Sequence, residues 1–387
     1  MIVLFINLPL NMTNNLYYNS GAVVMDVDLK AQLPASEQST LVTLYRTLIS
    51  TYTNASGSGF LDLSPMNYIR RIRTSRLVDS ALKTIIVEKY TAATASNDVS
   101  AVKPVEHVNG AAKAATKPRS VLALSLIDTE HLTPLIVQQT ADQLKSFLFA
   151  GHDTTSILLQ QAFYHLSLSP HSLSALLTEH VSIFGAHASP EHISSVLLNN
   201  GEEVLSRMSY ASAVVKETLR LYPPAGSARR VSPGGGFFIT LPDGKSLCLD
   251  GMVLYNMHYY IQRDPAVYGD DAEVFRPDRW LGDVGTHAES EDASGEERAI
   301  PPSSWRPFER GPRNCIGQEL ANLEARVILA LVVGRYCFEK VGVGRVKVVD
   351  GNPVVDEKTG EFVVESEVFN VSLVVVVIVV VVEALRE

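Results

Sequence analysis

The stretch Pro307–Ala321, PFERGPRNCIGQELA, constrains this chain more than any other. It places one cysteine, Cys315, in a loop built from Phe308, Gly311, Pro312, Arg313 and Gly317, directly ahead of a helical pattern. From Gln318 to Val333 the apolar residues Leu320, Leu323, Val327 and Leu331 recur at helical spacing. The two glycines suit a tight bend in which backbone approaches a flat ligand closely. A cysteine at a helix N-terminus meets amide N–H groups and roughly half a positive charge, which favour a thiolate. Arg313 adds a second cation. A thiolate held in this way suits a soft or borderline metal such as haem iron. The same residue types also fit a buried structural cysteine in a Gly/Pro loop.

The rest of the 387-residue chain allows a sizeable core, since hydrophobic residues make up 46% and charged residues 19%. The net charge of −9 argues against a nucleic-acid binder, which would present a basic face. Cys248, Cys315 and Cys337 have no paired spacing, so neither a disulfide framework nor a zinc site is expected. No stretch reaches the ~20 apolar residues that span a bilayer. Met1 to Leu10 is short, interrupted by Asn7 and Pro9, and lacks the basic start of a signal peptide. Leu373 to Val382 is a β-branched run too short to span, and it predicts a buried strand.

Taken in order, Asn54–Gly59 predicts a loop tip and Tyr68–Tyr90 a basic helix, with Arg70, Arg71, Arg73 and Arg76 on a solvated face. Thr91–Ser120, rich in Ala, Thr, Ser, Lys and Pro, predicts a mobile loop. Leu132–Leu166 predicts one long helix. Its middle, Ala150-Gly151-His152-Asp153-Thr154-Thr155, is poor helix material by propensity. Small residues there admit a planar ligand, and the threonine hydroxyls can bond back to the preceding turn and distort it. Asp153 or Thr154 could equally cap a new helix. Pro170 and Pro190 punctuate two shorter helices. Leu205–Tyr222 predicts another, stopped by Pro223-Pro224, with Glu217 and Arg220 on one face. Phe237–Asn256 predicts strands with a turn at Pro242–Lys245. Phe275-Arg276-Pro277-Asp278-Arg279-Trp280 follows, and Gly282–Ile300 predicts an exposed acidic insertion.

Four of these segments, in this order, resemble motifs of the cytochrome P450 family. Ala150–Thr154 resembles its oxygen-binding helix, and Glu217-x-x-Arg220 its Glu-x-x-Arg helix. The segment ending in Arg279-Trp280 resembles its Pro-x-Arg-Phe/Trp motif, and Phe308–Gly317 its haem-binding loop. The resemblance covers about Leu132 to the C-terminus. It implies a mainly α fold with small β-sheets, P450-like and truncated at the N-terminus. Residues 1–120 would form a partial N-terminal helical region with mobile loops, and residues 121–387 a haem-binding core with C-terminal strands. It further implies haem b (iron protoporphyrin IX) ligated by Cys315, with Ala150, Gly151, Phe308, Gly311, Arg313 and Gly317 lining it. Arg313 and Arg230 (in preference to Arg229) would bind the propionates. Asp153 and Thr154 would be catalytic, relaying protons to bound oxygen. Glu217, Arg220 and Arg279 would form a buried triad that holds the loop.

The activity so implied is a haem-thiolate monooxygenase that inserts one atom of O2 into a small apolar substrate. Electrons would come from NADPH-cytochrome P450 reductase. The full-length form would associate with the cytoplasmic face of the endoplasmic reticulum membrane, although this chain shows no anchor. Two departures matter. Only residues 1–149 precede Ala150, less than the family places there. No Trp-x-x-x-Arg matches the family's early propionate site, and Trp280 and Trp305 lie elsewhere. The alternatives are a truncated, non-catalytic chain and a haem-thiolate isomerase or dehydratase; the Asp153–Thr154 pair counts against the latter.

Overall fold

A computed structural model describes residues 6–7, 21–31, 33–53, 65–95, 120–281, 290–291, 297–298, 300–340, 345–365 and 378–381. The chain divides into two compact units, Leu10–Ser156 and Ile157–Glu387 with Met1–Pro9. The division falls inside a helix, at a point that composition does not mark.

The first unit holds α1 (Thr40–Thr53), α2 (Pro65–Ala95), α3 (Val121–Ser125) and the start of α4 (Pro134–Leu168). Val78, Leu82 and Ile86 recur along one face of α2, and Ala141, Leu144 and Leu148 along one face of α4. With Met25, Leu29 and Leu122 they form the core of this unit. Arg70, Arg73 and Arg76 are solvated as expected. Arg71 is not: its Nη2 donates to the Thr51 carbonyl at 2.6 Å, and its guanidinium lies 4.1 Å from the Tyr52 ring centre. The last carbonyls of α1 have no partner within their own helix, so a cation from the next helix supplies one. α2 also continues to Ala95, past the predicted start of the loop. Asn54–Gly59 and residues 96–119 lie outside the described residues.

The second unit begins with the last turns of α4 and adds α5 (Pro170–Phe184), α6 (Pro190–Arg207) and α7 (Ser209–Leu221). Ser169 and Ser189 cap α5 and α6 through their hydroxyls, each followed by a proline at the first helical position. The helix predicted over Leu205–Tyr222 is divided at Met208. The cause is tertiary. The Glu179 carboxylate on α5 accepts the N–H groups of Tyr210 and Ala211 (2.9 Å for Ala211), so a charge from another helix opens α7.

Small antiparallel sheets complete the unit. Met1–Pro9 contributes β1 (Ile6–Asn7). β2 (Ser227–Arg230), absent from the sequence expectation, pairs with β5 (Val253–Asn256) in the register Ala228↔Tyr255. β3 (Phe238–Thr240) and β4 (Ser246–Cys248) form the predicted hairpin, with Gly244 at φ +82° in its turn. α8 (His258–Ile261) and α9 (Pro265–Tyr268) follow. β6 (Ser290–Glu291) and β7 (Glu297–Arg298) pair within the acidic stretch, the remainder of which, apart from Ile300, lies outside the described residues. α10 (Gln318–Val332) is the predicted helix after Cys315. β8 (Cys337–Lys340) precedes the short pair β9 (Val348–Val349) and β10 (Asn352–Pro353). β11 (Ile378–Val381), the described part of the Val/Ile run, lies between β1 and β8.

α10 buries Ala325, Ile328, Leu329 and Ala330, while Leu320 and Leu323 stay exposed. Its far end is fixed by His180 of α5, whose Nε2 donates to the Ala330 carbonyl at 2.9 Å. A Cβ on Gly334 would lie 2.6 Å from the buried His180 ring. Gly334→Ala should therefore cost about 1–3 kcal/mol by overpacking. The urea midpoint should fall with the slope unchanged, and an unaltered midpoint would show that the ring can yield.

Candidate functional site

The cysteine loop is closed by its own backbone. The Cys315 N–H donates to the Phe308 carbonyl at 2.8 Å, and the Asn314 N–H to the Gly311 carbonyl at 3.1 Å. Gly311 adopts φ +83°, which requires glycine. Gly317 does not, at φ −88°, and a Cβ there would lie 3.8 Å from the Cys315 sulfur, an ordinary contact. Its glycine leaves bare space beside the thiol. Cys315 is exposed and free, and the neighbouring Ile316 is 85% exposed. The buried structural cysteine is thereby excluded. α10 opens without a side-chain cap, leaving its first N–H groups near the loop.

Glu217, Arg220 and Arg279 come together, as expected, in a network from which solvent is excluded (0%, 0% and 2% exposed). Arg220 grips Glu217 with two parallel bonds, Nε–Oε2 at 2.9 Å and Nη2–Oε1 at 2.8 Å. Arg279 Nε donates to Oε1 at 2.9 Å and the Arg276 N–H to Oε1 at 3.0 Å. Two members were not legible in the sequence. Trp280 Nε1 donates to Glu217 Oε2 at 2.8 Å, and Asp271 accepts from Arg279 Nη2 at 3.2 Å, giving each arginine a carboxylate. Burial alone would raise the Glu217 pKa. The Arg220 guanidinium, then Arg279 and the Arg276 N–H, outweigh it and hold the carboxyl below its usual range.

A third hidden member, the fully buried Gln262, carries this network to the cysteine loop. Arg220 Nη1 donates to the Gln262 carbonyl at 2.9 Å. The Gln262 side chain donates to the Leu219 and Arg220 carbonyls and accepts the Arg306 N–H at 2.7 Å, just ahead of Phe308. Trp305 adds a bond from Nε1 to the Lys216 carbonyl at 3.1 Å. No spacing rule in the sequence points to a glutamine in this role.

Ala150, Gly151, Asp153 and Thr154 belong to the unit Leu10–Ser156, and Cys315, Arg313 and Arg230 to the other. α4 runs unbroken through the motif. The Thr154 hydroxyl donates to the Ala150 carbonyl at 2.7 Å, so it bonds back along the helix and caps nothing. Ala150 is exposed and Gly151, Asp153 and Thr154 are half-buried. Burial pushes the Asp153 carboxyl up. Arg230 and Arg313 are exposed, and among the described residues neither has a carboxylate partner. Arg229 turns to its own strand, donating to the Ala228 carbonyl at 2.9 Å.

The family model described as Cytochrome P450 matches residues 12–363. The chain belongs to the cytochrome P450 family. It is 28% identical over 338 residues to Cytochrome P450 monooxygenase acrF of Aspergillus aculeatus, covering 82% of this chain and 60% of that protein. It is 36% identical over 208 residues to Cytochrome P450 monooxygenase polC of Polytolypa hystricis, covering 53% and 34% respectively. A bifunctional cytochrome P450/NADPH–P450 reductase of Gibberella moniliformis is 33% identical over 54% of this chain and 16% of its own length. The chain thus spans less than two thirds of the length of these curated P450 relatives.

The donor set fits the P450 cofactor. Among the described residues no three His, Cys, Asp or Glu side chains gather as a metal site, so a metal held by Cys315 would have that one protein donor. A metal held by one protein thiolate needs its other ligands supplied from elsewhere, as a porphyrin supplies them. The bare space beside the sulfur and the two unpaired guanidiniums suit a flat ring with carboxylate arms.

Removing one member of a buried ionic network strands the others, at about 3–5 kcal/mol. Glu217→Gln should destabilise the fold by that amount at neutral pH. A carboxyl with a depressed folded pKa contributes stability in full above its ordinary value of about 4.3, and that stability is lost as pH falls through the folded value. The gap between wild type and Glu217→Gln in urea unfolding should therefore narrow below about pH 4. A gap independent of pH would mean that Glu217 is not held ionised.

Proposed function

We propose that this chain is a haem-thiolate monooxygenase that oxidises a small apolar substrate with O2, using electrons from NADPH-cytochrome P450 reductase. The observation that carries this reading is the free, exposed Cys315 in a backbone-closed loop tied through Gln262 to the buried Glu217 network. The reductase is supported by a relative whose own name joins a P450 to that enzyme.

In this reading Cys315 binds haem iron through its thiolate, Phe308 and Gly311 line the ring, and Gly317 leaves space beside the sulfur. Arg313 and Arg230 hold the propionates, for which planar guanidinium groups are suited. Bound haem supplies the one-electron and oxygen chemistry, which thiolate ligation turns toward O–O cleavage. The chain's own part is positioning and proton supply. Ala150 and Gly151 offer α4 a surface without bulk. Asp153, whose proton is retained to higher pH by burial, serves as the proton-holding group. Thr154, its hydroxyl proton engaged with Ala150, offers its oxygen lone pairs as the acceptor in a relay.

No helix among the described residues is long and apolar enough to cross a membrane. Association with the cytoplasmic face of the endoplasmic reticulum membrane is proposed from the family alone. The second reading is a P450-like chain without catalysis.

One spectrum separates the two readings. The reduced, carbon-monoxide-treated full chain should show a thiolate-type Soret band, and Cys315→Ala should abolish it. Absence of haem absorbance in the wild type would favour the non-catalytic chain, and a band that survives Cys315→Ala would refute this ligand. Thr154→Ala should keep haem and divert reducing equivalents from product to hydrogen peroxide, as loss of a positioned proton path requires. Unchanged coupling, measured as product formed per NADPH oxidised, would remove Thr154 from the relay.

A further inference from the structure

Within the cysteine loop, Glu309 adopts φ +57°, a conformation that residues other than glycine hold only when their surroundings fix them there. The fixing groups are visible. Glu309 Oε1 accepts Asn256 Nδ2 at 2.9 Å, His258 Nε2 at 3.1 Å and the Ser227 hydroxyl. Glu309 Oε2 accepts Arg306 Nη2 at 3.2 Å. Three of these donors lie on β2, β5 and α8, outside the loop. His258 is buried, and its Nδ1 faces the Ala225 carbonyl at 3.0 Å, so the ring is braced from both sides.

The residue before Glu309 is Phe308, whose carbonyl receives the Cys315 N–H. Fixing Glu309 therefore fixes the acceptor that sets the backbone of Cys315. Glu309 stands at an unspecified position between Phe308 and Gly311 of the loop motif, and its partners Ser227, Asn256, His258 and Arg306 lie outside the four motifs.

We propose that Glu309 is a positioning residue for Cys315: its carboxylate, clasped by Ser227, Asn256, His258 and Arg306, locks the thiolate loop onto the β2–β5 sheet. The lock rests on the haem-thiolate reading for its purpose but not for its existence. Burial would raise the Glu309 carboxyl, yet the bonds from Ser227, Asn256 and His258 bring it down to about 2, so the carboxylate itself stays ionised at neutral pH.

The test uses the full-length purified chain and two readouts. In hydrogen–deuterium exchange of the haem-free chain, Glu309→Gln should speed exchange across Phe308–Gly317 about tenfold, as loss of a bond to a charged group predicts. Exchange in Ser209–Leu221 should stay unchanged. His258→Gln should act in the same direction, and the double variant should add little to Glu309→Gln, since both act through one contact. Unchanged exchange in the loop, or equal acceleration in both segments, overturns the proposal. Should Glu309→Gln fail to fold, Ser227→Ala removes one donor only, and an unaltered loop in that variant and in His258→Gln is equally decisive.

In the haem-loaded chain, Glu309→Gln should retain haem while the thiolate-type share of the reduced carbon monoxide spectrum falls severalfold; a full share overturns the proposal. A wild-type chain without that band counts against the haem-thiolate reading alone, and the exchange data still decide on Glu309.

Discussion

The carboxylate of Glu217 is the point on which the second unit depends. It is wholly buried, and the two arginines, the Trp280 indole and the Arg276 N–H all donate to it. An isolated charge in such a place would be prohibitive, and even a simple pair would scarcely recover its desolvation. Here the remaining protons of Arg220 meet backbone carbonyls, and Arg279 turns to Asp271 and the Val274 carbonyl, so the charges are paired and hydrogen-bonded. The network joins α7 to the segment between α9 and Trp280 more specifically than apolar packing could. An apolar core tolerates sliding, whereas a bidentate carboxylate does not.

That rigidity is passed to the cysteine through polar contacts. Gln262 transmits it from Arg220 to Arg306, and Trp305 ties the same strand of chain to Lys216. Glu309 meets the loop from the sheet side. The Cys315 sulfur is exposed, so the loop is not held by burial of the cysteine itself. It is held by the residues on either side of it, which explains why an exposed thiol follows so much buried polar chemistry.

Much of this was legible in the sequence because it is local. Helical patterning located α2, α4 and α10, Pro170 and Pro190 marked the starts of α5 and α6, Pro242–Lys245 located the β3–β4 turn, and the spacing of Glu217 and Arg220 put both on one face of α7. The members drawn from distant segments were not legible. Asp271, Trp280, Gln262 and Glu309 carry no periodic signal, and their roles exist only because the chain returns to the same place. The division at Met208 is of the same type, since Glu179 from a separate helix defines where α7 begins.

The sequence by itself determined the chemistry that is available: one cysteine in a glycine- and arginine-bearing loop, an acid and an alcohol inside a long helix, and a Glu-x-x-Arg pair awaiting a third partner. Those are properties of residue type and short spacing, which the local backbone fixes. Tertiary structure decided which groups became buried and which stayed open. It made Glu217 a neutralised core charge and Cys315 an exposed thiol, and it turned Arg71 from a solvated residue into a clamp on α1. The physical reason is that desolvation and hydrogen-bond completion depend on every neighbour within a few ångströms, and most of those neighbours are remote in the chain.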